Sequence, residues 1–399
     1  MSLWQKMKKR RVNPQLAHDL IAKTNAEVDK INPLNIMVVG KTGSGKSTLI
    51  NALFRDKVAT TGVGMPITQT VEKLTKEGVP LTIFDTKGLE LNIDVQHEVL
   101  SELSDLIKTE TAKGAQHALH LVYYCLNANM SRIESYELEL IEALAQQLPV
   151  IIVLTQTIGE ETGKFEHYLN SMKLPVEAII PVLAKDYRIT KQNMIPAFGL
   201  QELIDATLEV IPSEVHKAFI NAQQIDIKLK EEKAKSWAKT YITSAFGVGF
   251  TPIPIADATL LVPMQITMLG HITAIFGLSL DKSQVISMIA GVGGTSGTTL
   301  LGKFLVSSVF KVIPGIGTIT GGVISGATAS ILTVALAYSY IEVLKRIAVA
   351  ESQGEDLKLV EIQKLMNQSF TEQLSMVSNI LPNTVQNKFV PEWLEHFMK

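Results

Sequence analysis

A glycine-rich loop between an apolar strand and a helix constrains this chain more than any other feature of its sequence. The loop matches the pattern G-x-x-x-x-G-K-[ST] and consists of Gly40, Lys41, Thr42, Gly43, Ser44, Gly45, Lys46 and Ser47. Glycines let successive backbone N–H groups converge on phosphate oxygens, and the N-terminus of the following helix adds positive potential. We therefore predict a phosphate cradle here, with Thr48 as a further contact. Lys46 is expected to reach the phosphates and Ser47 to bind Mg²⁺.

Apolar runs typical of buried strands alternate with amphipathic helical stretches between residues 34 and 212. The predicted strands are Asn35–Val39, Leu81–Phe84, Leu121–Cys125, Val150–Leu154 and Ala178–Leu183. Predicted helices include Lys46–Phe54, Val95–Lys108, Ile133–Leu148 and Gly199–Val210. This alternation predicts an α/β fold with a mostly parallel sheet and helices on both of its faces. Ligands of such sheets bind at the carboxyl ends of the strands, which is where the glycine loop begins.

A second motif, Asp-x-x-Gly at Asp85–Gly88, follows the strand that begins at Leu81. We predict that Asp85 holds Mg²⁺ through water and that the N–H of Gly88 contacts the γ-phosphate. Loss of that contact on hydrolysis would release the segment that follows. Between the two motifs, Thr68 is the threonine expected to close over Mg²⁺, with Thr61 and Thr70 as alternatives. The predicted metal ligands are thus Ser47, Thr68 and Asp85, and the predicted catalytic residues are Lys46, Thr68 and Gly88.

The order of these motifs resembles the Era-like, translation-factor class of P-loop GTPases, which have a Ras-like fold. Within that class, the loop together with Thr48-Leu49-Ile50-Asn51-Ala52-Leu53 is similar to the immunity-related GTPases and their bacterial relatives. The resemblance implies GTP and Mg²⁺ as ligands, GDP and phosphate as products, and a nucleotide-dependent switch.

The resemblance also implies two elements that recognise the base. One is Asn/Thr-Lys-x-Asp after the fifth strand, where Thr155 fits the first position, Gln156 replaces the lysine and Ile158 replaces the aspartate. The missing carboxylate normally pairs with the N1 and N2 hydrogens of guanine, and Glu160 or Glu161 are candidates to substitute for it. The other element is Ser-Ala-Lys after the sixth strand, which Ala184 and Lys185 match in part. Because the aspartate is absent, an ATP-dependent P-loop enzyme stays open as an alternative.

Two positions that assist hydrolysis in related GTPases carry other residues in this chain. Leu89 stands where Ras-like enzymes have a glutamine that orients water, and Gly43 stands where some Era-like enzymes have a potassium-binding asparagine. We therefore predict slow intrinsic hydrolysis that needs an activating protein or self-assembly to supply catalytic groups. Lys41 and Lys87 flank the phosphate site and are candidates to contribute.

Composition divides the chain into five predicted segments. They are a basic and then helical segment at 1–33, the nucleotide-binding domain at 34–212, a charged helical linker at 213–240, a nearly uncharged helical domain at 241–348 and C-terminal helices at 349–399. The fourth segment resembles a helical domain of unknown function found behind Era-like domains in bacteria. Within it, the run Val312–Ile341 carries no charge and is long enough for a membrane span. Pro314 and several glycines interrupt this run. Stable membrane association, a helical core in a soluble protein and conditional insertion all stay open.

The formal net charge of −2 gives no indication of a nucleic-acid partner. A single cysteine excludes a disulfide within the chain, and the N-terminus lacks the apolar stretch of a secretory signal, so a cytoplasmic location is expected. The leading hypothesis is a regulatory or dynamin-like GTPase whose helical domain meets a membrane lipid or a protein partner on the cytoplasmic face. A membrane-acting effector or scaffold, with a structural nucleotide and no turnover, is the alternative.

Overall fold

The computed structural model of the chain describes residues 14–55, 63–66, 71–86, 93–248, 256–292 and 326–380. Its contacts divide the chain into two units. One unit is Lys30–Asp226, and the other combines Met1–Asp29 with Ile227–Lys399. We call the first the α/β unit and the second the helical unit.

The described strands all belong to the α/β unit, and the described helices are shared between the two units. The strands are β1 (Leu34–Val39), β2 (Val63–Pro66), β3 (Val71–Thr75), β4 (Leu81–Thr86), β5 (Leu121–Asn127), β6 (Val150–Thr155), β7 (Ala178–Val182), β8 (Tyr187–Arg188) and β9 (Met194–Ile195). The helices are α1 (Pro14–Val28), α2 (Lys46–Leu53), α3 (Ile93–Ala112), α4 (Ser135–Ala145), α5 (Glu160–Ser171), α6 (Leu200–Val210), α7 (His216–Ala222), α8 (Ile227–Val248), α9 (Ala256–Phe276), α10 (Lys282–Val292), α11 (Gly326–Ser352) and α12 (Leu359–Ile380).

The main sheet has the strand order β2-β3-β4-β1-β5-β6-β7. β1 pairs in parallel with β4 and β5, and the parallel pairing continues through β6 to β7. β3 pairs antiparallel with both β2 and β4. β8 and β9 form a separate two-stranded hairpin after β7. The predicted α/β class with a mostly parallel sheet is confirmed, and its five predicted strands correspond to β1, β4, β5, β6 and β7.

The sheet is covered on both faces because its central strands are apolar at every position or nearly so. All six residues of β1 are buried. Successive side chains of a strand point to opposite faces, and Ile36 and Val38 lie in one core cluster while Met37 and Val39 lie in the other. Helices α2, α6 and α7 contribute to the first cluster, and α3, α4 and α5 contribute to the second.

Helix α1 belongs to the helical unit, although about 200 residues separate it from α8 in the sequence. Ala17 and Leu20 of α1 are buried in the same cluster as Ile272 of α9. At the other end of α1, the carboxylate of Glu27 lies within hydrogen-bonding distance of Nε2 of His271 in α9. The chain thus leaves the helical unit after α1, forms the α/β unit and returns at α8.

Helix α8 begins within the segment predicted as a charged linker, and one face of it is core. Ala234 and Ala238 are fully buried in the helical cluster. Lys230 is 2% exposed, and its Nζ donates to the carbonyl oxygen of Phe276 at 2.7 Å. That carbonyl belongs to the last turn of α9, where backbone acceptors have no partner within the helix. The division into five segments itself stays a prediction.

The apolar stretches considered for membrane contact fall only partly within the described chain. Helix α9 has Pro263 in its interior. Residues 312–325, the first half of the uncharged run, lie outside the described residues. Of the helices that the structure describes, none combines the length and apolar character needed to cross a bilayer.

Replacing Gly291 with alanine is expected to destabilise the helical unit, because a Cβ there would lie 2.6 Å from both the carbonyl oxygen of Gln363 and the Cβ of Met366. Forcing atoms into a packed interface costs about 1–3 kcal/mol. Urea unfolding followed by tryptophan fluorescence measures this loss, since the three tryptophans, Trp4, Trp237 and Trp393, all lie outside residues 30–226.

Gly163→Ala in α5 is the matched control, because a Cβ at that helical position would meet no atom within 4 Å. Since α5 belongs to the α/β unit, which contains no tryptophan, this variant is expected to leave the fluorescence transition of the helical unit unchanged. Equal stability of wild type and Gly291→Ala would show that α10 and α12 are not packed as closely as described.

Candidate functional site

The glycine loop begins where β1 ends, at the centre of the sheet between β4 and β5. Gly40 has a φ of 152°, and a Cβ atom there would lie 2.5 Å from the carbonyl oxygen of Cys125. Only glycine tolerates so close an approach to a neighbouring backbone. Gly45, with a φ of 88°, ends the loop, and α2 begins at the next residue. The loop therefore lies against β5 and presents the N-terminus of α2, where backbone N–H groups favour an anion.

Lys46 is buried, and its ammonium group lies over the loop. Its Nζ donates to the carbonyl oxygen of Gly40 at 2.7 Å and to that of Lys41 at 3.1 Å. Burial lowers the pKa of Lys46, against the opposing effect of the nearby Asp85 carboxylate. An ammonium group carries three protons. Since two of them have partners among the described residues, one is left for a phosphate oxygen.

Asp85 lies near the carboxyl end of β4, level with Val38 of β1. Its Oδ1 is buried and has no hydrogen-bond partner in the described part of the chain. Burial raises the pKa of this carboxyl group to about 6, with Lys46 lowering the value and Glu72 raising it. The Oγ of Ser44 in the loop is also buried without a partner among the described residues. Buried polar atoms are rarely left unpaired, so two of them beside a glycine loop indicate a ligand site.

The donor set fits Mg²⁺ bound together with a polyphosphate. Mg²⁺ sites in nucleotide-binding proteins commonly use one or two protein oxygens and complete the shell with phosphates and water. Asp85 supplies a carboxylate, and Ser47 supplies an exposed hydroxyl at the first turn of α2. Within the described residues there is no group of three or more His, Cys, Asp or Glu side chains that would hold a metal ion without a nucleotide.

Lys41 is engaged with the start of α4, an arrangement that the sequence analysis did not predict. Its Nζ lies 3.0 Å from Glu134 and 3.2 Å from Glu137, and 5.0 Å from the centre of the Tyr136 ring. Burial alone would lower the pKa of Lys41, but hydrogen bonds to Tyr136, Glu134 and Glu137 raise it overall. Lys41 thus connects the loop to α4. The N–H of Glu134 also donates to Oε2 of Glu137 at 3.0 Å, but nothing in the sequence links these two residues to a lysine about ninety residues earlier.

The loop after β6 contacts the glycine loop directly. The hydroxyl of Thr155 lies within hydrogen-bonding distance of the carbonyl oxygens of Ser44 and Leu126. Gln156, which has a positive φ of 54°, donates from Nε2 to the carbonyl oxygen of Gly43 at 3.1 Å. Both predicted base-contact residues after β6 therefore hold the phosphate loop in place.

The loop after β7 lies beside the loop after β6, because the N–H of Thr157 donates to the carbonyl oxygen of Val182 at 3.3 Å. Ala184 is half-buried there and Lys185 is exposed. The structure thus brings the glycine loop, Asp85 and the two loops with the predicted base-contact residues to the same edge of the sheet.

The remaining predicted ligand residues fall into two groups. Thr42, Gly43 and Thr48 are exposed on or just after the loop. The others lie outside the described residues: Thr68 and Gly88, the alternatives Thr61 and Thr70, and the flanking Lys87 and Leu89.

Comparison with known families gives two matches along the chain. Residues 35–156 match the family described as 50S ribosome-binding GTPase. Residues 218–371 match a domain of unknown function, DUF697. The first match lies within the α/β unit and contains both the glycine loop and Asp85.

Over 180 residues the chain is 27% identical to the tRNA modification GTPase MnmE of Alkaliphilus oremlandii, covering 45% of this chain and 34% of that protein. Over 197 residues it is 30% identical to the GTPase Der of Dinoroseobacter shibae, covering 48% of this chain and 39% of that protein. The chain thus spans about two-fifths or less of the length of these curated relatives.

A crystal structure of a probable GTP-binding protein, engB, is 18% identical and covers 44% of this chain and 98% of that protein. Its TM-score is 0.30. The family match and the GTPase relatives, together with the glycine loop between β1 and α2, show that the α/β unit contains a G domain of the P-loop GTPase class.

Proposed function

We propose that this chain binds GTP with Mg²⁺, hydrolyses it slowly and thereby acts as a switch on its helical unit. The observation that carries the proposal is that Lys46 and Asp85 lie close enough at the glycine loop to influence each other's pKa. A buried ammonium group has one unused donor, and a buried carboxylate oxygen beside it has no partner among the described residues. Such a pair suits a negatively charged polyphosphate chelated to a cation.

Different residues of the site would bind the phosphates and the Mg²⁺ ion. Backbone N–H groups at the N-terminus of α2 and the free proton of Lys46 would hold phosphate oxygens. Asp85 and the hydroxyl of Ser47 would hold Mg²⁺, which when bound supplies charge neutralisation at the phosphates. Thr155 and Gln156 keep the glycine loop in shape through their bonds to Ser44 and Gly43. The chain thus positions the triphosphate through groups that are preorganised by their own contacts.

The contacts of Lys41 support the proposal that hydrolysis is slow. Lys41 is the charged residue of the loop that is placed to offer a second cation, but it is held by Glu134 and Glu137. Stabilising charge in the transition state of phosphoryl transfer commonly needs an additional cationic group. We therefore propose that a partner protein or self-assembly supplies it. Thr68 and Gly88 stay our proposed switch residues.

Nucleotide binding and phosphate release, both measured with the full chain, test the proposal, with Lys46→Ala as the key variant. Removing a charged donor from phosphate costs about 1.5–3 kcal/mol, so we expect GTP affinity to fall roughly 10- to 150-fold. Lys164→Ala is the matched control, since that lysine is exposed on α5 and pairs only with Glu161 among the described residues. Its affinity and rate are expected to equal those of wild type.

The same two measurements, of nucleotide binding and of phosphate release, separate the alternative functions. Tight nucleotide binding without turnover, both alone and with anionic liposomes, would favour an effector or scaffold with a structural nucleotide. The comparisons give the ATP-dependent alternative no support, and stronger competition by ATP than by GTP would revive it. Wild-type protein that binds neither nucleotide would contradict the proposed function. Lipid contact, self-assembly and a cytoplasmic location stay predictions from the sequence.

Acidification is expected to weaken Mg²⁺-dependent GTP binding, because protonated Asp85 cannot hold a cation. The pKa of about 6 lies above the ordinary value of 3.8, so the group is ionised at pH 7.5 and about 10% ionised at pH 5. Affinity at pH 5 should thus be about tenfold below that at pH 7.5. Asp85→Asn corrects for titration of the nucleotide itself. An equal pH effect in this variant and in wild type would contradict the assignment of Asp85.

The same raised pKa predicts the opposite trend for the stability of the nucleotide-free protein. The folded state holds the proton of Asp85 more tightly than the unfolded state does. The contribution of this group to the free energy of unfolding therefore falls as pH rises from about 4 to 6. Asp85→Asn should remove that part of the pH dependence.

A further inference from the structure

We propose that the hairpin formed by β8 and β9 binds the surface of an anionic lipid membrane. The hairpin and its flanks span residues 185–198 of the α/β unit, and we call this segment the basic hairpin. The proposal goes beyond the proposed function, since it concerns neither the nucleotide nor the helical unit. It rests on the side chains that the basic hairpin exposes and on the charge that they carry.

The basic hairpin exposes several large apolar side chains close together. Of the nine exposed large apolar residues in the described chain, four belong to this segment. They are Tyr187, Ile189, Met194 and Phe198, of which between 42% and 58% is exposed. Single exposed apolar residues are common on protein surfaces, whereas a group of them marks a surface that contacts a partner or a membrane.

The pairing of the two strands places apolar side chains on both faces of the hairpin. Tyr187 lies opposite Ile195, and Arg188 lies opposite Met194. Residues directly opposite each other in an antiparallel pair share a face, and neighbours along a strand alternate between faces. Neither face packs on a core, because the residues of both strands are exposed or half-buried. A two-stranded hairpin is marginally stable in water unless something covers it.

Hydrogen bonds at both ends hold the basic hairpin in shape. At its turn, Oγ1 of Thr190 accepts from the N–H groups of Gln192 and Asn193 at 3.2 and 3.0 Å. At its base, Oδ1 of Asp186 accepts from the N–H of Ala197 at 2.8 Å. The segment thus presents its apolar side chains on a preorganised backbone, which lowers the entropy lost on binding.

The basic hairpin is positively charged, although the net charge of the chain is −2. Lys185, Arg188 and Lys191 are exposed, and none of them has an ion-pair partner among the described residues. Asp186 is the one acidic residue of the segment, so three positive charges and one negative charge give +2. Basic side chains attract anionic headgroups, while neighbouring apolar side chains enter the boundary between headgroups and acyl chains.

Other occupants fit this surface less well. In a two-fold dimer the same surface meets itself, so the basic side chains of two copies would repel each other. Nucleic acid would match the charge, but the aliphatic Ile189 and Met194 offer no ring on which a base could stack. An acidic protein would also match the charge, but a protein surface covers one face of a ribbon. A lipid interface surrounds an inserted ribbon and covers both faces.

Co-sedimentation of the full chain with vesicles, in the absence of nucleotide, tests the proposal. We expect the chain to bind vesicles that contain phosphatidylserine more tightly than vesicles of phosphatidylcholine alone, and salt to weaken this binding. Each basic residue near an anionic surface strengthens binding about fivefold, so combining Lys185→Gln, Arg188→Gln and Lys191→Gln should weaken it roughly 100-fold.

The matched control replaces three exposed lysines elsewhere in the α/β unit by glutamine, namely Lys108, Lys164 and Lys173. It has the same net charge as the hairpin variant and is expected to bind vesicles like wild type. Equal binding by the hairpin variant and wild type would overturn the proposal, as would the failure of wild type to bind anionic vesicles.

An environment-sensitive dye at position 189 separates insertion from attraction by charge alone. The single cysteine, Cys125, is buried, and burial raises its pKa to about 12, so a thiol-reactive dye would label Ile189→Cys selectively. We expect the emission of this dye to shift to the blue with anionic vesicles. The same dye on Tyr168→Cys, at an exposed position of α5, should not shift. A dye at position 189 that stays in water while the chain is bound to vesicles would contradict insertion of the hairpin.

Binding of soluble polyglutamate distinguishes an acidic protein partner from lipid. Polyglutamate that binds wild type but not the hairpin variant, together with no binding of wild type to vesicles, would assign the basic hairpin to an acidic protein and refute the proposal. Because these measurements use no nucleotide, their failure would leave the proposed GTP binding untouched.

Discussion

The close approach of Gly40 to the carbonyl of Cys125 is the contact on which the whole site depends. It lets the chain turn out of the sheet immediately at the end of β1, the central strand, with neighbouring strands on both sides. Asp85 comes next to the loop because β4 pairs with β1 in a fixed register. Thr155 meets the loop from the other side, through β5 and β6. A larger residue at position 40 would displace the loop from all of these partners at once.

The candidate site buries polar and charged groups that have unused hydrogen-bonding capacity in the described chain. Asp85 and Ser44 each bury an oxygen without a partner in the described chain, and Lys46 is desolvated. Each unsatisfied group costs about 1–3 kcal/mol. The surrounding core is apolar and well covered on both sheet faces, which offsets this cost.

Much of the α/β unit follows from the sequence because its parallel strands are buried on both faces. β1, β5 and β6 are mostly apolar and almost completely buried, and short-range patterns reveal such runs. β3 was missed because it carries Glu72 and Lys73 on a less covered part of the sheet, and β2 is only four residues long. The glycine loop was found because its chemistry requires fixed residue types at fixed spacing.

Contacts between distant residues could not be inferred in the same way. The ion pairs of Lys41 with Glu134 and Glu137 join residues that no periodicity relates. The burial of α1 with α9 depends on a match of apolar faces more than 200 residues apart, so composition alone suggested a separate N-terminal segment. Lys230 belongs to a lysine-rich stretch that looks fully solvated, yet its ammonium group closes the end of α9.

The membership of α1 in the helical unit has a consequence for synthesis of the chain. A ribosome releases α1 before the α/β unit, but Ile272 and His271, against which α1 packs, emerge only after the entire α/β unit has been made. Domains fold largely as units during translation. The sheet of the G domain can therefore form before the helices that bury Ala17 and Leu20 of α1 have been made. A nascent chain that ends after the α/β unit therefore leaves the apolar face of α1 uncovered.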